Sequence, residues 1–201
     1  MNWYEQDIQK LEKKSRKLEY EPEMIFYGSS SITMWENLYD DFAEYKPVNL
    51  GFGGSTLEAC VYYFERVMKP FYPDYLVIYA GDNDLGDGKQ PKQVLCFFEQ
   101  LCSKVKNSFG DAMMFYISIK PSLSRWNINE QIKKTNQLIR QSIETDYPQA
   151  QFIDLYGNML NEYGKPNPEL FVADGLHLSS AGYALWKDIL LKQFSLVIQD
   201  K

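Results

Sequence analysis

Short apolar runs alternate with longer amphipathic stretches along the chain. The apolar runs are nearly continuous, which is typical of parallel strands that are buried on both faces. There are five of them: MIFYG from Met24, PVNLGFGG from Pro47, DYLVIYAG from Asp74, AMMFYISI from Ala112 and QFIDLYG from Gln151. The pattern therefore predicts five buried parallel strands.

Helical periodicity occupies the intervals between these runs. The amphipathic stretches are LEACVYYFERVM, PKQVLCFFEQLCSKVKNSF, NINEQIKKTNQLIRQSIETDY and, near the end, SSAGYALWKDILLKQFSLVI. Pro91 suits the first position of one helix, and Ser179 or Ser180 suits the N-cap of the last. Strand–helix alternation over the whole chain predicts an α/β fold, a three-layer α/β/α sandwich with helices on both faces of the sheet.

The sequence shows no linker, internal repeat or low-complexity segment. A length of 201 residues favours one domain, which we place over residues 1–201. The longest stretch without clear periodicity lies between Gly157 and Gly175. Loops of that length often carry function, although many only connect elements.

Composition narrows the classes of function. The net charge is −6, and without a basic cluster this argues against a nucleic-acid partner. The three cysteines, Cys60, Cys96 and Cys102, are unpaired in spacing and argue against a disulfide framework. We see no signal-peptide pattern and no run approaching the ~18 residues of a membrane span. A cytoplasmic location is expected unless a leader has been removed, and the oligomeric state is left open.

Candidate chemistry lies at the predicted strand ends. Ligands of open α/β sheets bind at the carboxyl ends of the strands. The segments in question are GSSS from Gly28, GFGGST from Gly51, GDND from Gly81 and, after the fifth run, ADGLHLSSAGY from Ala173. These segments are expected to meet at one edge of the sheet.

A lone histidine is the first candidate. His177 is the only histidine in the chain, and neutral imidazole is the usual base that activates a serine. Asp174 lies three residues earlier, where a carboxylate can hold one imidazole nitrogen and leave the other facing a nucleophile. The alternative is a histidine without a catalytic role.

Three other patterns have competing interpretations. The serines after Gly28 are either nucleophile candidates or helix caps. The GFGGST run follows a strand and precedes a helix, as a phosphate cradle does, so a nucleotide- or phosphate-binding module is a rival hypothesis. The stretch GDNDLGDG lacks the spacing of a calcium loop. We therefore predict no metal and no cofactor.

Taken in order, four segments resemble the blocks of the SGNH hydrolases, the GDSL lipase/esterase superfamily. They are FYGSSSI, NLGFGGST, AGDND and DGLHL, and they lie between Met24 and Tyr183. The resemblance implies a flavodoxin-like arrangement of the sheet, hydrolysis of carboxylic esters (acyl or acetyl esters of lipid, sugar or small-molecule alcohols), and no cofactor. A catalytically silent relative is the alternative, against which the intact set of Ser, Asp and His argues.

The resemblance also implies roles for individual residues. The serine attacks the ester, His177 takes its proton and Asp174 orients His177. Three donors, the Ser30 N–H, the Gly54 N–H and the Asn83 side-chain amide, would hold the oxyanion. Gly54 is expected to be glycine because a side chain would crowd the approaching backbone.

Block one departs from the family pattern, because Ser29 stands where the family has Asp. Counting from Gly28 makes Ser30 the nucleophile, whereas spacing from Ile32 favours Ser31. We predict Ser30, since Gly28 ends the strand and sets the turn, and we expect the flanking serines to satisfy local backbone donors. Lys120, Arg125 and Trp126, after the fourth run, either line the pocket or belong to a solvated loop.

Overall fold

A five-stranded, wholly parallel sheet forms the centre of the computed structural model, which describes residues 1–198. The strands are β1 (Met24–Gly28), β2 (Pro47–Gly51), β3 (Tyr75–Tyr79), β4 (Met113–Ile117) and β5 (Ala150–Ile153). All five predicted strands are confirmed. Their order in the sheet is β2-β1-β3-β4-β5.

Helices occupy the four predicted stretches and also form outside them. They are α1 (Glu5–Arg16), α2 (Ser30–Thr33), α3 (Leu38–Asp41), α4 (Leu57–Met68), α5 (Asp82–Gly86), α6 (Pro91–Phe109), α7 (Asn129–Asp146) and α8 (Ser180–Val197). Pro91 is the first residue of α6 and Ser179 is the N-cap of α8, as predicted. Helix α7 starts later than its pattern suggested, because Trp126–Ile128 forms a 3-10 turn before it.

Successive strand residues point to opposite faces of the sheet, and each face has its own core. Ile25 and Tyr27 pack with buried residues of α1, α4, α6 and α7. Phe26 lies in the other core, with residues of α2, α3 and α8 that include Ile32 and Trp186. This arrangement is the predicted three-layer α/β/α sandwich. Within residues 1–198, none of the helices combines the length and the apolar character that crossing a bilayer requires.

The strand order creates a crevice at the carboxyl ends of β1 and β3. These neighbours in the sheet are separated along the chain by β2, so the connections leave in opposite directions, as at a topological switch point. Gly28 and Tyr79 face each other there. A Cβ on Gly28 would lie 1.9 Å from the Tyr79 carbonyl oxygen, and its φ is +141°. Only glycine fits this position, from which the chain enters the serine segment.

The stretch between Gly157 and Gly175 has more structure than its sequence suggested. It contains two 3-10 turns, Gly157–Met159 and Pro168–Leu170. Antiparallel bridges pair Leu160 with Pro166 and Phe171 with Leu178. The second of these bridges joins the residues on either side of Asp174 and His177 and so holds the braced loop that carries them.

Candidate active site

The three consecutive serines have three different environments. Ser29 and Ser31 are buried, whereas Ser30, the first residue of α2, is half-buried. Ser29 Oγ has no hydrogen-bond partner among residues 1–198, and Ser31 Oγ accepts a hydrogen bond from Lys120 Nζ at 3.2 Å.

The expectation that the flanking serine side chains satisfy backbone donors is wrong. The N–H groups of Ile32 and Thr33 donate to the carbonyl oxygen of Ser29, at 2.9 and 3.1 Å. The Ser29 side chain makes no capping hydrogen bond. The backbone closes this short helix by itself, so the side chains of Ser29 and Ser31 point into the interior instead.

Ser30, His177 and Asp174 form one hydrogen-bonded chain. Oγ of Ser30 lies 3.1 Å from Nε2 of His177, and Nδ1 of the same ring lies 2.6 Å from Oδ2 of Asp174. The second carboxylate oxygen of Asp174 accepts the backbone N–H groups of Leu176 and His177, at 2.8 and 2.9 Å. The structure thus brings Ser30 to the pair of Asp174 and His177, which lies far from it in the sequence.

The Asp174 carboxylate determines which nitrogen of the His177 ring carries the proton. Hydrogen bonds from the His177 ring and from the backbone N–H groups of His177 and Leu176 lower the pKa of Asp174 to about 2. An ionised carboxylate only accepts hydrogen bonds, so it selects the tautomer with the proton on Nδ1. Nε2 then carries the lone pair that faces the Ser30 hydroxyl.

Several backbone contacts hold the loop that carries this histidine. The Val172 N–H donates to the His177 carbonyl at 2.9 Å, and the Ser124 N–H donates to the Gly175 carbonyl at 3.1 Å. Gly175 has a φ of +66°, and a Cβ there would lie 2.9 Å from Leu123. The turn therefore requires glycine, and it ties the histidine loop to the segment that follows β4.

The predicted oxyanion donors lie in the loops after β2 and β3. Gly54 is exposed, with a φ of +68°, and no other residue lies within 4 Å of where its Cβ would be. The left-handed φ, and not crowding by the protein, is therefore the structural reason for glycine. The Asn83 side-chain nitrogen donates to the Ser55 carbonyl at 3.0 Å, which leaves its second N–H for another acceptor.

A buried cluster of charged side chains lies next to α2, the short helix that begins at Ser30 and is called the serine helix below. Lys120 is 2% exposed, and its Nζ contacts Ser31 Oγ at 3.2 Å, the Tyr79 hydroxyl at 2.9 Å and Asp82 Oδ2 at 3.2 Å. Burial lowers the pKa of Lys120, and Asp82 opposes that shift. Lys120 therefore belongs neither to the pocket wall nor to a solvated loop. Sequence reasoning missed this cluster, because a lysine is rarely buried and its partners lie far away in sequence.

Two other residues of the same segment have distinct contacts. Arg125 donates from Nη2 to Asn83 Oδ1 at 2.8 Å. Trp126 is half-buried, and the Lys165 ammonium lies 4.8 Å from the centre of its ring. Only Arg125 of this pair contacts a predicted site residue.

The hydrogen bonds of Asp84 bear on the alternative that GFGGST binds phosphate. Its buried carboxylate accepts the N–H groups of Leu57 and Glu58, at 2.7 and 3.4 Å, and so caps the start of α4. Burial raises the pKa of Asp84 to about 6, although these two backbone hydrogen bonds lower it. An anion already occupies the helix end that a phosphate would need, which argues against a phosphate cradle at GFGGST.

Among residues 1–198, no acidic, cysteine and histidine side chains cluster in threes as a metal site would require.

A groove of about 360 Å³ lies beside the serine helix. Met34, whose N–H donates to the Ser30 carbonyl, and Trp35 line one side. Its lining also includes Val172, which precedes His177 in the sequence, and Leu178 and Tyr183, which follow it. Polar and charged side chains, including Glu36, Asp41 and Lys187, complete the lining, so the groove is apolar only in part.

The model of the GDSL-like lipase/acylhydrolase family matches residues 25–185. The chain therefore belongs to this family, whose enzymes hydrolyse acyl bonds. The matched range contains the four sequence blocks and the hydrogen-bonded residues described above. No curated protein matches the chain.

Solved structures share the fold at low sequence identity. A Streptococcus pneumonia protein, provisionally named a platelet activating factor, has a TM-score of 0.82 and 23% identity, with 96% of this chain and 94% of that chain covered. A GDSL-like lipase from Bacteroides thetaiotaomicron has a TM-score of 0.75 and 17% identity over 94% and 97% of the two chains. A variant of Axe2, an acetyl-xylooligosaccharide esterase from Geobacillus stearmophilus, has a TM-score of 0.69 and 15% identity over 87% and 95%. These similarities show the shared fold.

Proposed function

We propose that the protein is a serine hydrolase of carboxylic esters, in which Ser30 is the nucleophile, His177 the base and Asp174 the group that orients it. The observation that carries the proposal is the continuous hydrogen-bonded chain from Ser30 Oγ through the His177 ring to Asp174. Of the three serines, only Ser30 contacts the imidazole. We propose further that residues 1–201 act as one domain, without a cofactor.

The reaction proceeds in two halves. As Ser30 Oγ bonds to the ester carbonyl carbon, its proton passes to Nε2 of His177 and the carbonyl oxygen becomes an oxyanion. The C–O bond to the alcohol then breaks, and the alcohol leaves with the proton from His177. Water attacks the acyl-serine by the same route, which releases the carboxylic acid and restores Ser30.

The oxyanion is assigned to the N–H groups of Ser30 and Gly54 and to the free side-chain N–H of Asn83. Fixed donors stabilise the charge that develops on the oxygen more than they stabilise the neutral ester. Ser30 begins a helix and Gly54 has the left-handed φ of an open turn, so both N–H groups belong to backbone with a defined direction. Asn83 donates without titrating.

The substrate class is a small or lipid carboxylic ester. The groove that continues from Met34 to Val172 suits an apolar part of the ester, such as its acyl chain. The relative from Geobacillus stearmophilus acts on acetylated xylooligosaccharides, so acetylated sugars belong in the same screen.

The test is hydrolysis of p-nitrophenyl acetate by the natural chain and by Ser30→Ala. We expect turnover by the first and none by the second, with the same melting temperature for both. Equal rates would refute Ser30 as the nucleophile, and no turnover of any ester in a panel of acyl lengths and acetylated sugars would favour a catalytically silent relative.

A further inference from the structure

Arg125 reaches from the segment after β4 to the loop after β3. Its Nη2 donates to Asn83 Oδ1 at 2.8 Å, and its Nη1 lies 3.5 Å from Asp82 Oδ2. The side chain is only 19% exposed. A Cβ on Gly86 would lie 2.9 Å from the central guanidinium carbon, so the bare glycine at the end of α5 provides the space in which the guanidinium lies.

The segment around Arg125 is itself held in place. The preceding residue, Ser124, donates its N–H to the Gly175 carbonyl at 3.1 Å. The following residue, Trp126, lies under the Lys165 ammonium. The guanidinium is therefore presented from a fixed backbone, as a positioning group requires.

Contacts at both ends fix the Asn83 amide. Its oxygen faces the guanidinium of Arg125 and its nitrogen faces the Ser55 carbonyl. A flipped amide would place NH2 against a cation that only donates and a carbonyl against a carbonyl. Arg125 thus selects the orientation in which Asn83 presents its nitrogen as a donor.

The charge of Arg125 also acts on the amide. A charge-assisted hydrogen bond to the amide oxygen polarises the group and strengthens its N–H as a donor. Burial acts to raise the pKa of Asp82, but Lys120 and Arg125 lower it by more. The ionised Asp82 therefore holds both cations in the interior.

We propose that Arg125 is a positioning residue for ester hydrolysis, which fixes and polarises the Asn83 amide so that its free N–H meets the oxyanion. This proposal rests on the function proposed above. Arg125 acts through Asn83, so its contribution should exist only while Asn83 is present.

The experiment is a double-mutant cycle of Arg125→Met and Asn83→Ala, with kcat and KM measured on p-nitrophenyl acetate. We expect Arg125→Met to lower kcat about tenfold with little change in KM, since it removes one hydrogen bond to a charged donor. In the Asn83→Ala background the same substitution should change kcat by no more than about twofold. Arg125→Lys should restore part of the rate, because it keeps the charge but loses the forked geometry.

Two controls separate positioning from folding. Arg140→Met removes another arginine, paired with Asp154 on the surface, and should leave kcat unchanged. Gly86→Ala keeps Arg125 but pushes its guanidinium away, so it should lower kcat in the same Asn83-dependent way. If Arg125→Met does not fold, Gly86→Ala tests in its place whether the guanidinium acts on kcat through Asn83.

Equal losses in the two backgrounds would overturn the proposal, and so would a raised KM with kcat unchanged, since Arg125 would then bind substrate directly. A different result, in which Asn83→Ala alone leaves kcat unchanged, would refute the oxyanion assignment in the proposed function itself.

Discussion

Nε2 of His177 lies 3.1 Å from Oγ of Ser30, although 147 residues separate them in the chain. Short strand-end segments produce this contact, since Ser30 follows β1 directly and His177 lies in the braced loop before α8. Because the chain contains one histidine, no other imidazole can replace His177 as the base for Ser30.

His177→Ala should abolish turnover of p-nitrophenyl acetate, because the chain has no other imidazole that could accept the Ser30 proton. The ring is half-buried, so the melting temperature should change little. Turnover retained by the variant would mean that another group takes the Ser30 proton.

Asn83→Ala should lower kcat by roughly 10²–10³, as loss of one oxyanion donor does in other hydrolases. The variant also loses the hydrogen bonds of the Asn83 side chain with the Ser55 carbonyl and with Arg125, so a modest fall in melting temperature should accompany the loss of kcat. Asn158→Ala, at an exposed asparagine, is the matched control and should leave kcat unchanged. An unchanged kcat/KM in Asn83→Ala would make this asparagine a structural residue.

Lys120→Met should destabilise the fold by ~3–5 kcal/mol, because it removes one partner of a buried ion pair. Lys120 is 2% exposed, and its loss leaves Asp82 with Arg125 at 3.5 Å as the nearest cation. Urea unfolding measures the effect. Lys133→Met, at a lysine paired with Glu130 on the surface, should leave the unfolding midpoint nearly unchanged, because exposed ion pairs contribute little to stability. Similar urea midpoints for the two variants would show that the buried ion pair of Lys120 contributes no more to stability than the exposed pair of Lys133.

Asp84→Asn should remove a specific pH dependence of stability. Burial raises the pKa of Asp84 from 3.8 to about 6, so between those values the folded chain binds more protons than the unfolded chain. The free energy of unfolding should therefore fall as pH rises from about 4 to about 6, by at most ~3 kcal/mol, and then stay level.

The comparison between the natural chain and Asp84→Asn isolates this term. Their difference in unfolding free energy should change across that window and be constant on either side. A constant difference from pH 3 to pH 8 would show that the carboxyl group titrates normally despite its burial.

Much of the fold follows from sequence pattern. Buried parallel strands and amphipathic helices have distinct periodicities, so the five strands and helices α4, α6, α7 and α8 were predicted within a few residues, whereas the short helices α2, α3 and α5 were not. Asp174 and His177 were marked by their residue types and spacing, whereas Ser30 was chosen through the resemblance of its segment to the first block of the family. Their hydrogen-bonded contact then followed from the parallel sheet, which gathers strand ends at one edge.

Other features depend on tertiary contacts that no local pattern encodes. Lys120 and Arg125 could not be assigned, because their partners, Ser31, Asp82 and Asn83, are brought to them by the pairing of β1, β3 and β4. The serine side chains were misjudged for the same reason. A capping rule looks only at neighbouring backbone, whereas Ser31 turns to a lysine 89 residues away.

Labelling by a fluorophosphonate probe shows which serine is the nucleophile. Trypsin should release residues 18–66 as one peptide, because the Lys46–Pro47 bond resists cleavage. The serines of this peptide are Ser29, Ser30, Ser31 and Ser55, and fragmentation can distinguish them. We expect one label on Ser30, its loss in Ser30→Ala, and its retention in Ser29→Ala and Ser31→Ala. A label on another serine, or no labelled serine in active protein, would refute Ser30 as the nucleophile.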